Sequence, residues 1–171
     1  AMRFIKKNIQ LGYEFTGELS RNDKWQFPLP VIRELLLNSI IHKDYGNPTD
    51  VIIKIFDTEI QFSNPGSLYG NLTVADLETD HYQPRHRNRL LAEAFYLMGE
   101  VEKYGTGFIR IRKWLKEYPT LEYKVENLGD FTRVSLKQKV IVGDKLGDKL
   151  GDKLGDKLGD NQKLILESIK N

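Results

Sequence analysis

The sequence predicts an α/β fold, a two-layer sandwich in which helices cover one face of a mixed sheet, with a C-terminal extension after it. Three observations carry that expectation. Two pairs of short β-branched and aromatic runs, 51–56 with 59–63 and 123–126 with 131–136, are each joined by a short turn and read as β-hairpins. Apolar residues recur at helical spacing over 31–42, 89–98 and 108–118. Helices and hairpins also alternate along the chain, an order that buries helix stripes against a sheet.

The elements follow in order. Residues 1–26 are polar with scattered aromatics (Phe4, Tyr13, Phe15) and read as an N-terminal arm or short helix. Phe27-Pro28-Leu29-Pro30 is a stiff break, because each proline fixes its own φ and biases the residue before it towards extended backbone. Pro30 suits the first turn of a helix, which should run to about His42 and stop at the breakers Asp44-Tyr45-Gly46-Asn47-Pro48. The first hairpin turns at Asp57-Thr58 and ends in Asn64-Pro65-Gly66. Residues 67–88 read as a long loop with a short helix near 73–78. A helix over 89–97 carries Leu90, Leu91, Ala94 and Phe95 as its apolar stripe. Gly105-Thr106-Gly107 then opens a helix with Phe108, Ile111, Leu115 and Tyr118 on one face, which Pro119 ends. The second hairpin turns at Gly129-Asp130 and closes a folded domain of 27–140.

From Gly143 the chain reads Gly-Asp-Lys-Leu four times, a period too short for a solenoid unit. Residues 141–160 are therefore a spacer with two readings. It is either a charge-balanced linker or a helix whose Leu146, Leu150, Leu154 and Leu158 form one stripe, drifting about 40° per repeat, that a second copy could bury. Asn161 fits an N-cap, and 161–171 read as the start of a further domain.

Composition narrows the function. Of 171 residues, 40% are hydrophobic and 29% charged, enough for a core and too apolar for wholesale disorder. The 26 basic and 24 acidic residues nearly balance, so net charge makes no case for nucleic-acid binding by this domain. With no cysteine, disulfides, thiolate metal sites and thiol nucleophiles are excluded. No apolar run is long enough to span a bilayer and no signal pattern opens the chain, so a cytoplasmic protein without a membrane partner is expected. Ala1-Met2 reads as an expression scar, and the natural chain is expected to continue past both ends.

The chemistry concentrates on the first long helix. Glu34, Asn38 and His42 recur at i, i+4 and i+8, which sets them on one polar ridge of an otherwise apolar helix. Such a ridge is either a solvent-facing edge or a site. In the second case Glu34 could take a proton from water and Asn38 offer an oxygen to a hard cation such as Mg²⁺. His42 could be a cation at the helix end or a ligand contact.

The order of motifs resembles that of the GHKL ATPases, the Bergerat-fold superfamily of gyrase, histidine-kinase and mismatch-repair type. The closer likeness is to a branch labelled RecG-like C-terminal, found in transcriptional regulators behind a Schlafen/AlbA-type domain. The matching blocks are Arg33-Glu34 to Asn38-Ser39, His42-Lys43-Asp44-Tyr45, Ser63-Asn64-Pro65-Gly66, Arg87-Asn88 and Val101-Glu102-Lys103-Tyr104-Gly105-Thr106-Gly107, together covering roughly 27–137. The resemblance implies ATP and Mg²⁺ as cofactors, Glu34 as the water-activating base and Asn38 as the magnesium ligand. Asn64 and Gly66 then fall at the adenine-reading turn, and Gly105, Thr106 and Gly107 beside the phosphates. Residues 80–104 become a lid that carries Arg85, His86, Arg87 and Arg89 towards the phosphates.

Asn64 stands where the ATPases of that superfamily keep an aspartate, which should lower both adenine selectivity and affinity. Three functions remain open on these residues. One is a nucleotide-binding transcriptional regulator that meets DNA through a winged helix beginning near Asn161. The second is an ATP-hydrolysing enzyme that uses Glu34. The third is a degenerate fold that serves dimerisation. A helicase motor is disfavoured, because the chain has no Gly-x-x-x-x-Gly-Lys-Ser/Thr loop.

Overall fold

A computed structural model of the chain describes residues 1–15, 21–101 and 105–139. The repeat of 141–160 and the segment 161–171 lie outside the described residues, as do both readings of the repeat.

Four strands form the main sheet: β3 (Ile52–Ile55), β4 (Glu59–Pro65), β5 (Leu121–Leu128) and β6 (Phe131–Gln138), in the order β3-β4-β6-β5. Each pairing is antiparallel, which corrects the expected mixed sheet. The reason is the return of the second hairpin. Its β6 docks on β4, so β4 and β5, which do run parallel, are never neighbours. The turn between β5 and β6 places Gly129 at φ 67°, a conformation that a side chain resists and that two-residue hairpins require.

Period two along β4 turns Ile60, Phe62 and Asn64 to one buried face. Their cross-strand partners are Leu136, Val134 and Thr132 of β6. Against this face lies α2 (Leu29–His42), with Val31, Ile32 and Leu35 almost wholly buried. Pro28 is extended at φ −62°, ψ 119° and leads the chain into the helix, with Pro30 in its first turn as expected. Three helices follow α2 among the described residues, α3 (Val74–Leu77), α4 (Arg89–Leu97) and α5 (Gly107–Leu115), and both α4 and α5 pack on α2.

The segment 1–26, read as an arm or short helix, does begin with a helix, and a hairpin that was not expected follows it. These are α1 (Met2–Asn8) and a separate hairpin of β1 (Leu11–Phe15) and β2 (Arg21–Trp25). Ile5 and Ile9 join the core with Phe27, Ile111 and Leu121. Two apolar residues four apart are too few to stand out from a polar segment, yet they supply a buried contact.

The C-terminal end of α2 leaves carbonyls without helical partners, and Asn88 takes them. Its amide Nδ2 donates to the Ile41 carbonyl at 2.9 Å and the Lys43 carbonyl at 2.7 Å, and its backbone N–H donates to Ile41 at 3.2 Å. Asn88 is also the residue at which α4 begins, so one side chain joins the end of α2 to the start of α4. Replacing it should leave partly buried carbonyls unpaired. Asn88→Ala is expected to lower the unfolding free energy by about 1–3 kcal/mol in urea denaturation; a change below about 0.5 kcal/mol would mean that water caps the helix equally well.

Candidate functional site

A cleft of about 570 Å³ opens between α2, the β4–β6 part of the sheet, the 66–86 segment and the first turn of α5. Its parts differ in chemistry. The apolar Phe62 and Val134 form the floor together with the polar Asn64 and Thr132. Glu34, Asn38 and His42 line the α2 wall, so the ridge spaced at four residues does face a cavity. Gly105, Thr106 and Gly107 lie at the α5 end, and Arg85 and Arg89 add positive charge to the lining.

Glu34 is 4% exposed, and a buried carboxylate needs a partner. Arg110 of α5 supplies it, with Nη2 2.6 Å from Glu34 Oε2. The guanidinium also stands 5.6 Å from the Trp114 ring centroid. This pair draws the start of α5 onto α2, and Gly107 is what lets it come so close. A Cβ there would overlap the Glu34 carboxylate and come within 3.5 Å of Asn38 Nδ2. Asn38 Nδ2 is itself buried without a hydrogen-bond partner.

The glycine turn is held by Tyr82, a residue that no motif pointed to. Its hydroxyl donates to the Gly105 carbonyl, and its ring meets that of Phe108 edge-on at 6.2 Å. Burial raises the Tyr82 pKa above the ordinary phenol value, which keeps the hydroxyl protonated for this duty. Gly105 sits at φ 65°, and a Cβ on it would run into the Pro84 ring. Thr106 provides no side-chain cap for α5. A helix start of this kind presents N–H groups that suit an anion.

At the floor, Asn64 is 8% exposed and its Oδ1 has no hydrogen-bond partner. Gly66, next along, turns at φ 109°. Its N–H donates to the Asp130 carbonyl at 2.7 Å, and its carbonyl receives the Thr132 hydroxyl at 2.8 Å. A Cβ on Gly66 would come within 3.1 Å of both Arg87 and Asp44.

Of the residues singled out from sequence, Glu34, Asn38, His42, Asn64, Gly66, Gly105, Thr106 and Gly107 all line this one cleft, and Arg87 does not. Arg87 donates to the Ser67 carbonyl at 2.8 Å, lies 3.5 Å from Asp44 Oδ2 and stands 5.2 Å from the Tyr69 ring centroid. It fastens the turn at Gly66 to the end of α2. Arg112 acts similarly on the other side, binding the Leu77 and Thr79 carbonyls and the Asp80 carboxylate. Among the described residues no group of three His, Asp or Glu converges as a metal site, and no helix is long and apolar enough to cross a membrane.

This two-layer arrangement, with a polar helix ridge facing a glycine-opened helix across a cleft, is that of an ATPase-like α/β sandwich. The chain belongs to the family described as "Putative ATP-dependent DNA helicase recG C-terminal", whose profile matches residues 49–136, just over half of it. No curated protein matches the chain. Among solved structures it is similar in fold to the DIP2311 protein from Corynebacterium diphtheriae, with a TM-score of 0.71 and 18% identity. That likeness covers 81% of this chain and 28% of the other, so the chain spans little more than a quarter of that protein's length.

His42 is not a cation at the end of α2 near neutral pH. Burial first, and then the neighbouring charges of His86 and Arg87, push its imidazole down to about 4. Its ring lies 5.7 Å from that of His86, whose own pKa burial also lowers. A histidine with a depressed folded pKa stabilises the fold fully above its unfolded value of about 6.5, and that stability is lost as pH falls towards 4. The loss should be on the order of 3 kcal/mol and should be smaller in His42→Gln. Thermal unfolding followed between pH 7 and 4.5 checks this; parallel curves for the two proteins would show that His42 is not the group responsible.

Proposed function

We propose that the cleft binds ATP or a related nucleotide together with Mg²⁺, and that the domain is the nucleotide-responsive part of a cytoplasmic transcriptional regulator. The observation that carries this reading is one cavity that joins a floor of Phe62 and Val134 with a buried unpartnered amide to a glycine-opened helix start, with Arg85 and Arg89 elsewhere in its lining. A planar base with a hydrogen-bonding edge suits the floor, and a chain of phosphates suits the other end. Asn38 would offer an amide oxygen to Mg²⁺, which keeps most of its coordination from phosphates and water rather than from a full protein cage. The ion would neutralise phosphate charge, while Arg85 and Arg89 meet what remains.

Binding is favoured over rapid hydrolysis. Glu34 has one carboxylate oxygen taken by Arg110, so it is less available as a general base. Contact with DNA belongs to the segment that starts near Asn161, and pairing of copies to the leucine-bearing repeat. The sequence order and the regulators it resembles support both. The helicase in the family's description finds no motor loop in this sequence.

Calorimetric titration with ATP and Mg²⁺ is expected to give saturable binding. The double change Arg85→Ala with Arg89→Ala should weaken it about tenfold, the loss of two exposed charge contacts of roughly 0.7 kcal/mol each. Absence of heat at millimolar nucleotide would refute nucleotide binding. Phosphate release that Glu34→Gln abolishes while binding persists would favour the hydrolytic reading instead.

A further inference from the structure

The floor of the cleft holds an unusual reader. Asn64 is aligned with Ile60 and Phe62 on the buried face of β4, where period two would place a third apolar side chain. It is more than nine-tenths buried, and it lines the cleft. Its Oδ1 meets no donor, and no described hydrogen bond fixes which end of the amide faces the cavity. A primary amide carries an acceptor and a donor side by side, and half a turn about its last torsion exchanges them.

Resting on the nucleotide reading above, we propose that Asn64 makes this cleft accept purine nucleoside triphosphates without selecting the group at position 6 of the base. An adenine edge offers a 6-amino donor beside the N1 acceptor. A hypoxanthine edge offers a 6-oxo acceptor beside the N1–H donor. The Asn64 amide matches the first with Oδ1 on the amino group and Nδ2 on N1. It matches the second with Nδ2 on the oxo group and Oδ1 on N1–H. An ionised carboxylate in this place is acceptor-only, so it pairs with the 6-amino group and repels the 6-oxo group. Burial sharpens that difference, because a donor or acceptor left unpaired away from water weakens binding by about 5- to 150-fold. The neighbouring groups leave the choice to Asn64, since the Thr132 hydroxyl proton is committed to the Gly66 carbonyl.

The test is a calorimetric comparison of Mg-ATP with Mg-ITP, which differ only at the 6-position and the N1 proton. The wild-type domain should bind the two within about threefold of each other, the residue of two matched neutral pairs. Asn64→Asp should prefer ATP by about tenfold or more, and Asn64→Ala should weaken both nucleotides alike. Wild-type protein that binds ATP but favours it over ITP by more than about tenfold would overturn the inference and leave the nucleotide reading standing. Failure to bind either nucleotide would overturn both. If Asn64→Asp does not fold, the wild-type ratio and the Asn64→Ala pair decide the matter.

Discussion

The ion pair between Glu34 and Arg110 is the contact on which this domain's site depends. Glu34 lies in the most buried helix of the fold, surrounded by residues chosen for apolar packing. A carboxylate there is costly unless it is paired, and removing one partner of such a pair costs roughly 3–5 kcal/mol when both are fully buried. Arg110 is partly exposed, so the lower end of that range applies. The pair is therefore poor evidence for extra stability and good evidence for position. It fixes the first turn of α5 over α2, and it makes Gly107 necessary at the point of contact.

A second set of contacts holds the opposite end of the cleft. Asn88 takes the carbonyls at the end of α2, Arg87 joins Asp44 to the turn after β4, and Gly66 pairs with Asp130 and Thr132 of the second hairpin. The segment from His42 to Tyr45 is thus a junction where α2, the sheet and the start of α4 are tied together. Its motif-like appearance in the sequence has a structural cause in Asp44 and Lys43, while His42 alone of its members lines the cavity. The cavity keeps its shape because each of its walls is anchored by a polar residue that the core would otherwise exclude.

Much of this was legible in the sequence, and what was missed has physical causes. The hairpins, α2, α4 and the glycine-opened α5 all follow from period and turn chemistry, because each has strong local signals. Antiparallel pairing throughout the sheet was not readable, since strand order is set by the docking of β6 on β4, a contact between residues some 70 apart. The N-terminal helix was one of two readings of a polar stretch in which only Ile5 and Ile9 mark a buried side, and the hairpin after it was missed because its strands carry no sustained alternation. Asn64 could be placed on the buried face by counting twos from Ile60 and Phe62. Tyr82 could not be found that way. It works through a single hydroxyl in a loop without periodicity, and only the folded chain brings it 23 residues forward to Gly105. Arg87 and Arg89 looked alike as members of a basic cluster, and only packing against Asp44 and Ser67 separates their roles.

The central claim is that one cavity divides into a base-reading floor and a phosphate-binding helix start. It is tested most directly by a two-dimensional amide spectrum of isotope-labelled protein titrated with a non-hydrolysable ATP analogue and Mg²⁺. The account predicts that the largest shifts fall on the backbone amides of Gly105 to Phe108 and on the Asn64 side-chain amide, together and with one saturation curve. Shifts confined to residues outside the cleft, or shifts at the glycine turn that leave the Asn64 amide unmoved, would contradict it.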